Sequence, residues 1–246
     1  SRGLDVATSC SNLGLLANRR GDLASAEGWM ERATSIRERV APESLAISAS
    51  YNNLGILAKD RGDLAAAESW HRKALVLRER LSPGSSRVAM SLNNLGVVAM
   101  ARGKIKQAED YYRRALEIHE RIKPDSLEVA SACNNLGVVA KNGNDLGAAE
   151  QWYRRALEIR ERLAPGGMDV AMSHNNLGVV AAARGDLEGA EEQYAKALAI
   201  REHDAPVSLA IATSYNNLGL VAARRSELDK ALDWCTKSVA LKEKLA

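Results

Sequence analysis

A Leu-Gly dipeptide recurs every 41 residues along this chain of 246 residues. Its glycines are Gly14, Gly55, Gly96, Gly137, Gly178 and Gly219. Repetition at a fixed period of this length is typical of a solenoid, in which each unit buries its apolar face only against its neighbours. The period therefore predicts six equivalent units rather than one globular core.

Each unit carries the start and stop signals of two helices. In the second unit, Ser44 follows Pro42 and is a preferred N-cap residue, and apolar residues then recur at helical spacing. Gly62 supplies the left-handed conformation that is favoured just past a helix end. Asp63 is a suitable cap for a second helix, and Pro83 ends that helix. The repeat is therefore predicted to be a helix–turn–helix unit.

Two-helix repeats fall into more than one family. A period of 41 residues alone favours HEAT-type repeats, because the tetratricopeptide unit is usually about 34 residues long. The order of small and large residues instead resembles the tetratricopeptide consensus. The residues that carry the resemblance are Leu54, Gly55, Ala58, Gly62, Ala67, Ala74 and Leu75, with the second-helix aromatic at Tyr112, Tyr153 and Tyr194. The chain looks like the long, kinesin-light-chain-like form, in which about seven extra residues lengthen the second helix by two turns.

The resemblance implies an all-α, right-handed α-solenoid (a superhelix) of about six units. The units are expected at residues 7–47, 48–88, 89–129, 130–170, 171–211 and 212–246, within a single array over 1–246. Residues 1–6 align with the linker between repeats. We therefore expect them to be the remnant of a preceding unit, and the chain to be part of a longer protein.

Charge and composition argue against several functions. Lys and Arg number 34 against 31 Asp and Glu, and a net charge of +3 is too small to indicate a nucleic-acid partner. Apolar stretches such as 177–183 are too short to cross a membrane. Metal-ligand spacings, glycine-rich phosphate loops and nucleophile elbows are absent from the sequence. We therefore expect a cytoplasmic protein that is not an enzyme, binds no cofactor or metal, does not insert into membranes, and binds a protein or peptide or associates with itself.

Residues 41 positions apart form columns along the second helices. Two basic columns beside a glutamate column suggest pairs of opposite charge on a solvated outer face. The first basic column is Arg32, Lys73, Arg114, Arg155, Lys196 and Lys237, the second is Arg37, Arg78, His119, Arg160, Arg201 and Lys242, and the acidic column is Glu38, Glu79, Glu120, Glu161, Glu202 and Glu243. His119 and His203 replace basic residues on these helices, so both histidines are expected to be solvated.

Other columns are expected to face the interior. Cys10, Cys133 and Cys235 are predicted to be small core residues, and His71 and His174 to be packed. The aromatic column is Trp29, Trp70, Tyr111, Trp152 and Trp234, with Gln193 in the fifth unit. This column is compatible both with packing against the next repeat and with an aromatic ligand cage.

Paired asparagines precede the Leu-Gly dipeptide in five of the six units, and the first unit has Ser11 before Asn12. Asparagine is a mediocre helix former, so its repeated use in mid-helix needs a reason. If tetratricopeptide geometry holds, stacking aligns these amides along a concave wall beside an apolar strip. The strip consists of Leu15, Ile56, Val97, Val138, Val179 and Leu220.

This asparagine ladder predicts a groove for an extended peptide. Each amide offers two donors and one acceptor, which match the groups of a peptide backbone. The candidate peptide-binding residues are Asn12, Asn52, Asn53, Asn93, Asn94, Asn134, Asn135, Asn175, Asn176, Asn216, Asn217, Val97, Val138, Val179, Lys59, Lys141 and Arg224. Two alternatives stay open. One or both asparagine columns bond to the adjacent repeat and fix the stack, or the array is a structural or regulatory scaffold that self-associates or controls an appended effector domain.

Overall fold

The computed structural model describes residues 2–204 and 207–245. Within these residues the protein has twelve α-helices and no strand. The helices are α1 (Arg2–Arg19), α2 (Leu23–Val40), α3 (Leu45–Asp60), α4 (Leu64–Leu81), α5 (Ser86–Ala101), α6 (Ile105–Ile122), α7 (Leu127–Asn142), α8 (Leu146–Leu163), α9 (Met168–Arg184), α10 (Leu187–Asp204), α11 (Leu209–Arg224) and α12 (Leu228–Leu245). Odd-numbered helices are the first and even-numbered helices the second of each predicted repeat, so the all-helical fold class is confirmed.

Consecutive helices pack as antiparallel pairs, from α1 with α2 to α11 with α12. The chain divides after Pro124 into two compact units, which contain α1–α6 and α7–α12. From here on, unit means one of these two parts, and repeat means one helix pair. Inside each unit the second helix of one pair packs on the first helix of the next, as α4 does on α5 and α10 on α11. Each unit is therefore a stack of three helix pairs that bury one another's apolar faces.

The predicted start and stop residues lie at the helix ends. Ser44 is the N-cap of α3, and its hydroxyl accepts a hydrogen bond at 3.3 Å from the backbone N–H three residues later. Asp63 caps α4 in the same way at 2.9 Å. Gly62 has a φ of 83°, and Asn144 takes the left-handed conformation in the fourth repeat with a φ of 63°. The turn chemistry read from the sequence is confirmed.

The helix bounds shift the predicted borders of the repeats. Residues 2–6 were expected to be a linker, but they form the start of α1. The reason is that Val6 is the counterpart of Ile47, which already lies inside the first helix of its repeat. The predicted borders at 48, 89, 130, 171 and 212 each fall near the start of an odd-numbered helix rather than in the turn before it.

Glycine allows the two helices of a pair to approach closely. Gly96 of α5 lies against the ring of Tyr112 of α6, and a Cβ atom on Gly96 would be 2.5 Å from the tyrosine Cε1. Gly137 lies against Tyr153 in the same way. The Leu-Gly dipeptide therefore marks a close approach of the two helices in these repeats.

The basic column that begins with Arg37 is buried except at Lys242, so the expectation of a solvated face is wrong for most of it, whereas the column that begins with Arg32 is exposed or half-buried. Arg78 is 2% exposed, and Arg37, Arg160 and Arg201 are also buried. Burial lowers the pKa of Arg78 to about 10, so the side chain stays charged at neutral pH. A buried charge of this kind requires hydrogen-bond partners.

Serine hydroxyl groups supply those partners. Arg78 Nε donates to Ser48 Oγ of its own repeat at 3.2 Å, and Nη1 donates to Ser91 Oγ of the next repeat at 2.8 Å. Equivalent bonds to the next repeat join Arg37 to Ser50 at 2.6 Å, Arg160 to Ser173 at 2.7 Å and Arg201 to Ser214 at 2.6 Å. The column therefore belongs to the interface between repeats and not to an outer face.

The burial of cysteines and histidines matches the predictions with two exceptions. Cys10, Cys133, His71 and His174 are buried and His203 is exposed, as expected. Cys235 is exposed, because no helix pair among the described residues follows α12, so the prediction that it is a core residue is wrong. His119 is 7% exposed and not solvated, because it occupies the column of the buried arginines.

Candidate functional site

The predicted apolar strip lies on an accessible side of the first helices. Val97 is 41% exposed, Leu15 and Leu220 are exposed as well, and Ile56, Val138 and Val179 are half-buried. In one unit the strip runs over α1, α3 and α5, and in the other over α7, α9 and α11. We use the term first-helix face for the side of these helices that carries the strip.

Asparagines of adjacent first helices are hydrogen-bonded to each other inside each unit. In every case the second asparagine of one repeat donates to the first asparagine of the preceding repeat. The three bonds join Asn94 Nδ2 to Asn52 Oδ1 at 2.7 Å, Asn176 Nδ2 to Asn134 Oδ1 at 2.9 Å, and Asn217 Nδ2 to Asn175 Oδ1 at 3.1 Å. We call these bonds rungs, because each ties two neighbouring repeats together.

The two asparagine columns differ in burial. Asn52 and Asn134 of the first column are buried, and its other members, Asn93, Asn175 and Asn216, are half-buried. The second column is exposed at Asn12 and half-buried at Asn53, Asn94, Asn135, Asn176 and Asn217. A rung uses one N–H of the second asparagine, which leaves that amide another N–H and a carbonyl oxygen. The second column therefore keeps hydrogen-bonding capacity.

Charged groups lie at the C-terminal ends of the first helices. Lys59 Nζ is 3.0 Å from Asp60 Oδ1, and Asn18 Nδ2 donates to Asp60 Oδ2 at 3.1 Å. Burial opposes the ionisation of Asp60, but Asn18 and Lys59 outweigh it and hold the pKa of Asp60 below its usual value. Arg224 donates to the backbone carbonyl of Ala182, one repeat earlier, at 2.7 Å.

An open depression of about 310 Å³ lies on α1. It is lined by Asn12, Leu15, Leu16 and Arg19. The depression thus combines an amide, aliphatic side chains and a cation, which are the three kinds of group that the sequence places on this face.

The remaining predicted residues share the first-helix face of their own unit. In α7–α12, Asn135, Val138 and Lys141 follow one another along α7 and are all half-buried. The sequence reasoning missed Met90 and Met172, which precede the second asparagine of α5 and α9 by four residues and so lie on the same side. Met90 is exposed and Met172 half-buried. Helical spacing alone was a sufficient signal for both.

Within 2–204 and 207–245, no three His, Cys, Asp or Glu side chains are arranged to hold a metal ion. None of the helices in these ranges has both the length and the apolar character that crossing a bilayer requires. The chemistry of the first-helix face consists of amides, aliphatic side chains and a few charged groups.

Solved structures share this architecture. BtubC (BKLC) from P. vanneervenii superposes with a TM-score of 0.78 at 26% sequence identity, over 91% of this chain and 90% of that one. The nearly identical TPR-like repeats of a Podosopora anserina protein named for kinesin light chain give a TM-score of 0.72 at 15% identity, over 82% and 97%. The apo form of RapI gives 0.72 at 13% identity, over 97% and 98%. The last two likenesses show the fold alone.

Sequence comparison identifies the repeat itself. No curated protein matches the chain significantly. The family profile described as Tetratricopeptide repeat matches residues 5–80, 87–162 and 169–244, each of which spans two of the helix pairs. Repeats of this kind are generally protein–protein interaction modules. Because the three matches cover most of the sequence, the chain belongs to the tetratricopeptide repeat family.

Proposed function

We propose that the first-helix face binds an extended peptide or a disordered segment of a protein. The observation that carries the proposal is the accessible apolar strip beside second-column amides that keep hydrogen-bonding capacity. The strip would contact apolar side chains of the ligand, and the amides would bond to its backbone. Membership of a family of interaction modules supports a protein ligand.

Repeat spacing suits an extended ligand. Packed helices lie about 10 Å apart, and an extended strand advances about 3.3 Å per residue, so about three ligand residues would pass each repeat. Each side-chain hydrogen bond contributes about 1 kcal/mol net, so several in register would give affinities on the order of micromolar. Lys59, Lys141 and Arg224 would add a preference for carboxylates near the ends of the first helices.

The proposal assigns different tasks to the two asparagine columns. Asn52 is buried and accepts a rung from Asn94, so its first task is to hold two repeats together. In the repeat before Asn53 the first-column position is Ser11, so no asparagine there can accept a rung from Asn53. No hydrogen bond of the Asn53 side chain is found among the described residues. We therefore assign the second column, with Asn53 as its test position, to the ligand.

Peptides selected by display against the array would test this assignment. We expect Asn53→Ala to weaken binding of a selected peptide about fivefold, or ~1 kcal/mol, at an unchanged melting temperature, and Asn52→Ala to lower the melting temperature. Val97→Glu, which places a charge on the strip, should weaken binding at least about tenfold. Val239→Glu is the matched control, because Val239 of α12 is an exposed valine outside the strip. Equal affinity of the Val97→Glu and Val239→Glu variants would contradict the proposal.

A further inference from the structure

The second helix of the second repeat borders a depression that the proposed groove does not use. It has a volume of about 600 Å³ and lies against α4 and the turn before α3. Pro42, Tyr51, Val76 and Leu77 form its apolar lining. Val76 is 67% exposed, whereas the next two repeats carry a glutamate at this position of their second helix. An exposed valine thus stands where two other repeats, at Glu117 and Glu158, place a charge.

The polar lining of this depression is cationic. Arg72, Lys73 and Arg80 contribute to it, and no carboxylate does. Arg72 pairs with Glu68 at 2.7 Å and Arg80 with Glu43 at 2.9 Å. Glu68 also pairs with two cations of the next repeat, so its charge is shared among three partners. The depression is therefore lined by three cations, and the nearby carboxylates, Glu43, Glu68 and Glu38, which accepts from Tyr51 at 3.0 Å, lie outside the lining.

Lys73 lacks the carboxylate that pairs with two of its counterparts, Lys196 and Lys237. In the fifth repeat Lys196 pairs with Glu192 at 2.6 Å, and in the sixth Lys237 pairs with Asp233 at 2.7 Å. Both acids lie four residues before the lysine, where the second repeat has Ser69. No carboxylate within residues 2–204 and 207–245 forms an ion pair with Lys73.

Aromatic rings position this unpaired cation beside the depression. Lys73 Nζ is 4.2 Å from the centroid of the Trp70 ring, which stacks on Tyr51 with 5.6 Å between ring centroids. The sixth repeat has the same stack, with 5.5 Å between the ring centroids of Tyr215 and Trp234, but the lysine beside it is paired with an acid. The second repeat therefore has the stacked aromatic pair and the lysine, but it lacks the carboxylate that would pair with that lysine.

We propose that this depression, bounded by Val76 and Lys73, is a second docking site, for a partner segment in which an apolar side chain is flanked by carboxylates. The apolar side chain would lie against Val76 and Leu77, and the carboxylates would pair with Lys73 and the two arginines. Charge complementarity selects this ligand, because a cationic segment would meet like charges at the rim. The site is separate from the first-helix face, so one array would hold two segments at once.

Short fluorescein-labelled peptides in which a leucine is flanked by glutamates test the proposal, with lysines in place of the glutamates as the control. We expect the glutamate peptide to bind and the lysine peptide not to bind, by fluorescence anisotropy at low salt. Val76→Glu and Ser69→Asp should each weaken binding about tenfold. Both substitutions copy residue types that other repeats carry at the same positions, so helix content should be unchanged in circular dichroism.

Lys73→Glu provides a reciprocal measurement. It should weaken binding of the glutamate peptide and allow the lysine peptide to bind. The proposal is overturned if the glutamate peptide does not bind, if the lysine peptide binds the unmutated chain equally well, or if Val76→Glu and Ser69→Asp leave the Kd unchanged. Loss of binding in Val97→Glu alone would place the peptide on the first-helix face and would also overturn it. The groove proposal fails separately, if Val97→Glu leaves the affinity of display-selected peptides unchanged.

Discussion

At the scale of single residues, two cations of the same helix have opposite surroundings. Arg78 is buried and Lys73 is exposed, although they are five positions apart on α4. The Arg78 guanidinium bonds to two serine hydroxyls and to the backbone carbonyl of Arg87 rather than to a carboxylate. A guanidinium suits this environment because it has five donors in a fixed plane. Losing it would leave those acceptors unsatisfied and a cavity behind.

We therefore expect Arg78→Ala to lower the free energy of unfolding by about 3 kcal/mol, as measured by urea denaturation. Arg78→Lys should not restore stability, because an ammonium group cannot reach acceptors on two helices in the same plane. Combining Arg78→His with Ser91→Ala reproduces the residue types that the chain itself has at His119 and Ala132. This double variant should be more stable than Arg78→Ala, and the opposite order would contradict the assigned role.

His71 gives a prediction about pH. Burial, with Arg78 and Lys59 nearby, lowers the pKa of His71 to about 4. Its value in the unfolded chain is about 6.5, so the unfolded state binds the proton more tightly and stability falls as the pH drops below 6.5. Between pH 7 and pH 5 the loss should be about 2 kcal/mol. His71→Tyr, the residue type at Tyr112, should remove this part of the pH dependence of urea denaturation, and an unchanged slope would contradict it.

At the scale of helices, the distance between the two helices of a pair depends on having glycine, which has no side chain, at the Leu-Gly position. Gly96→Ala would place a Cβ atom 2.5 Å from the ring of Tyr112. We expect a loss of about 2–3 kcal/mol in the free energy of unfolding, although alanine is the better helix former by about 1 kcal/mol.

Gly28→Ala is the matched control in α2, because a Cβ atom there meets nothing within 4 Å. It should raise the free energy of unfolding by about 0.5–1 kcal/mol, since helix propensity then acts alone. Thermal and urea denaturation of both variants would measure the two effects. Stabilisation by Gly96→Ala would show that the helices separate easily and would contradict the close-approach interpretation.

The sequence predicted the helices and their caps well because both depend on neighbouring residues. It did not predict the buried arginine column, because an arginine followed by a glutamate is also the pattern of an exposed helix face. A signal was nevertheless present. Serine stands at Ser50, Ser91, Ser173 and Ser214, and each of these serines follows a repeat that has an arginine in the buried column. Two columns that match in this way indicate contact between repeats.

The candidate site could be predicted in part for the same reason. Helical spacing placed the asparagines and the apolar strip on one side of the first helices, which needs no knowledge of the neighbouring repeat. The pairing of the asparagines could not be predicted, because the rungs join residues that are 42 rather than 41 positions apart, as in Asn52 with Asn94. That offset depends on how one helix pair is set against the next.

At the scale of the whole array, regular bonds tie each repeat to the next inside both units. Besides the rungs and the buried arginines, an ion pair joins the second helix of one repeat to the first helix of the next. These pairs are Glu27 with Arg61, Glu68 with Arg102, Glu150 with Arg184 and Glu191 with Arg225. Stability should therefore follow a sum of repeat and interface contributions, which local substitutions test one interface at a time.

A double-mutant cycle on one rung measures such an interface contribution. Asn134→Ala and Asn176→Ala should each lower the free energy of unfolding by about 1–2 kcal/mol, because each leaves the other amide without its partner. The double variant should lose less than the sum, with a coupling of about 1 kcal/mol. Strict additivity in urea denaturation would mean that the rung contributes nothing to the stack.

All three rungs run in one sense, since the amide nitrogen always belongs to the later repeat and the carbonyl oxygen to the earlier one. The row of amides on α7, α9 and α11 therefore has one direction, with each N–H donor on the later repeat. A backbone that lies along it meets a different pattern when it is reversed. A segment bound there would accordingly have a single N-to-C orientation, and the same residues in reverse order would bind less tightly.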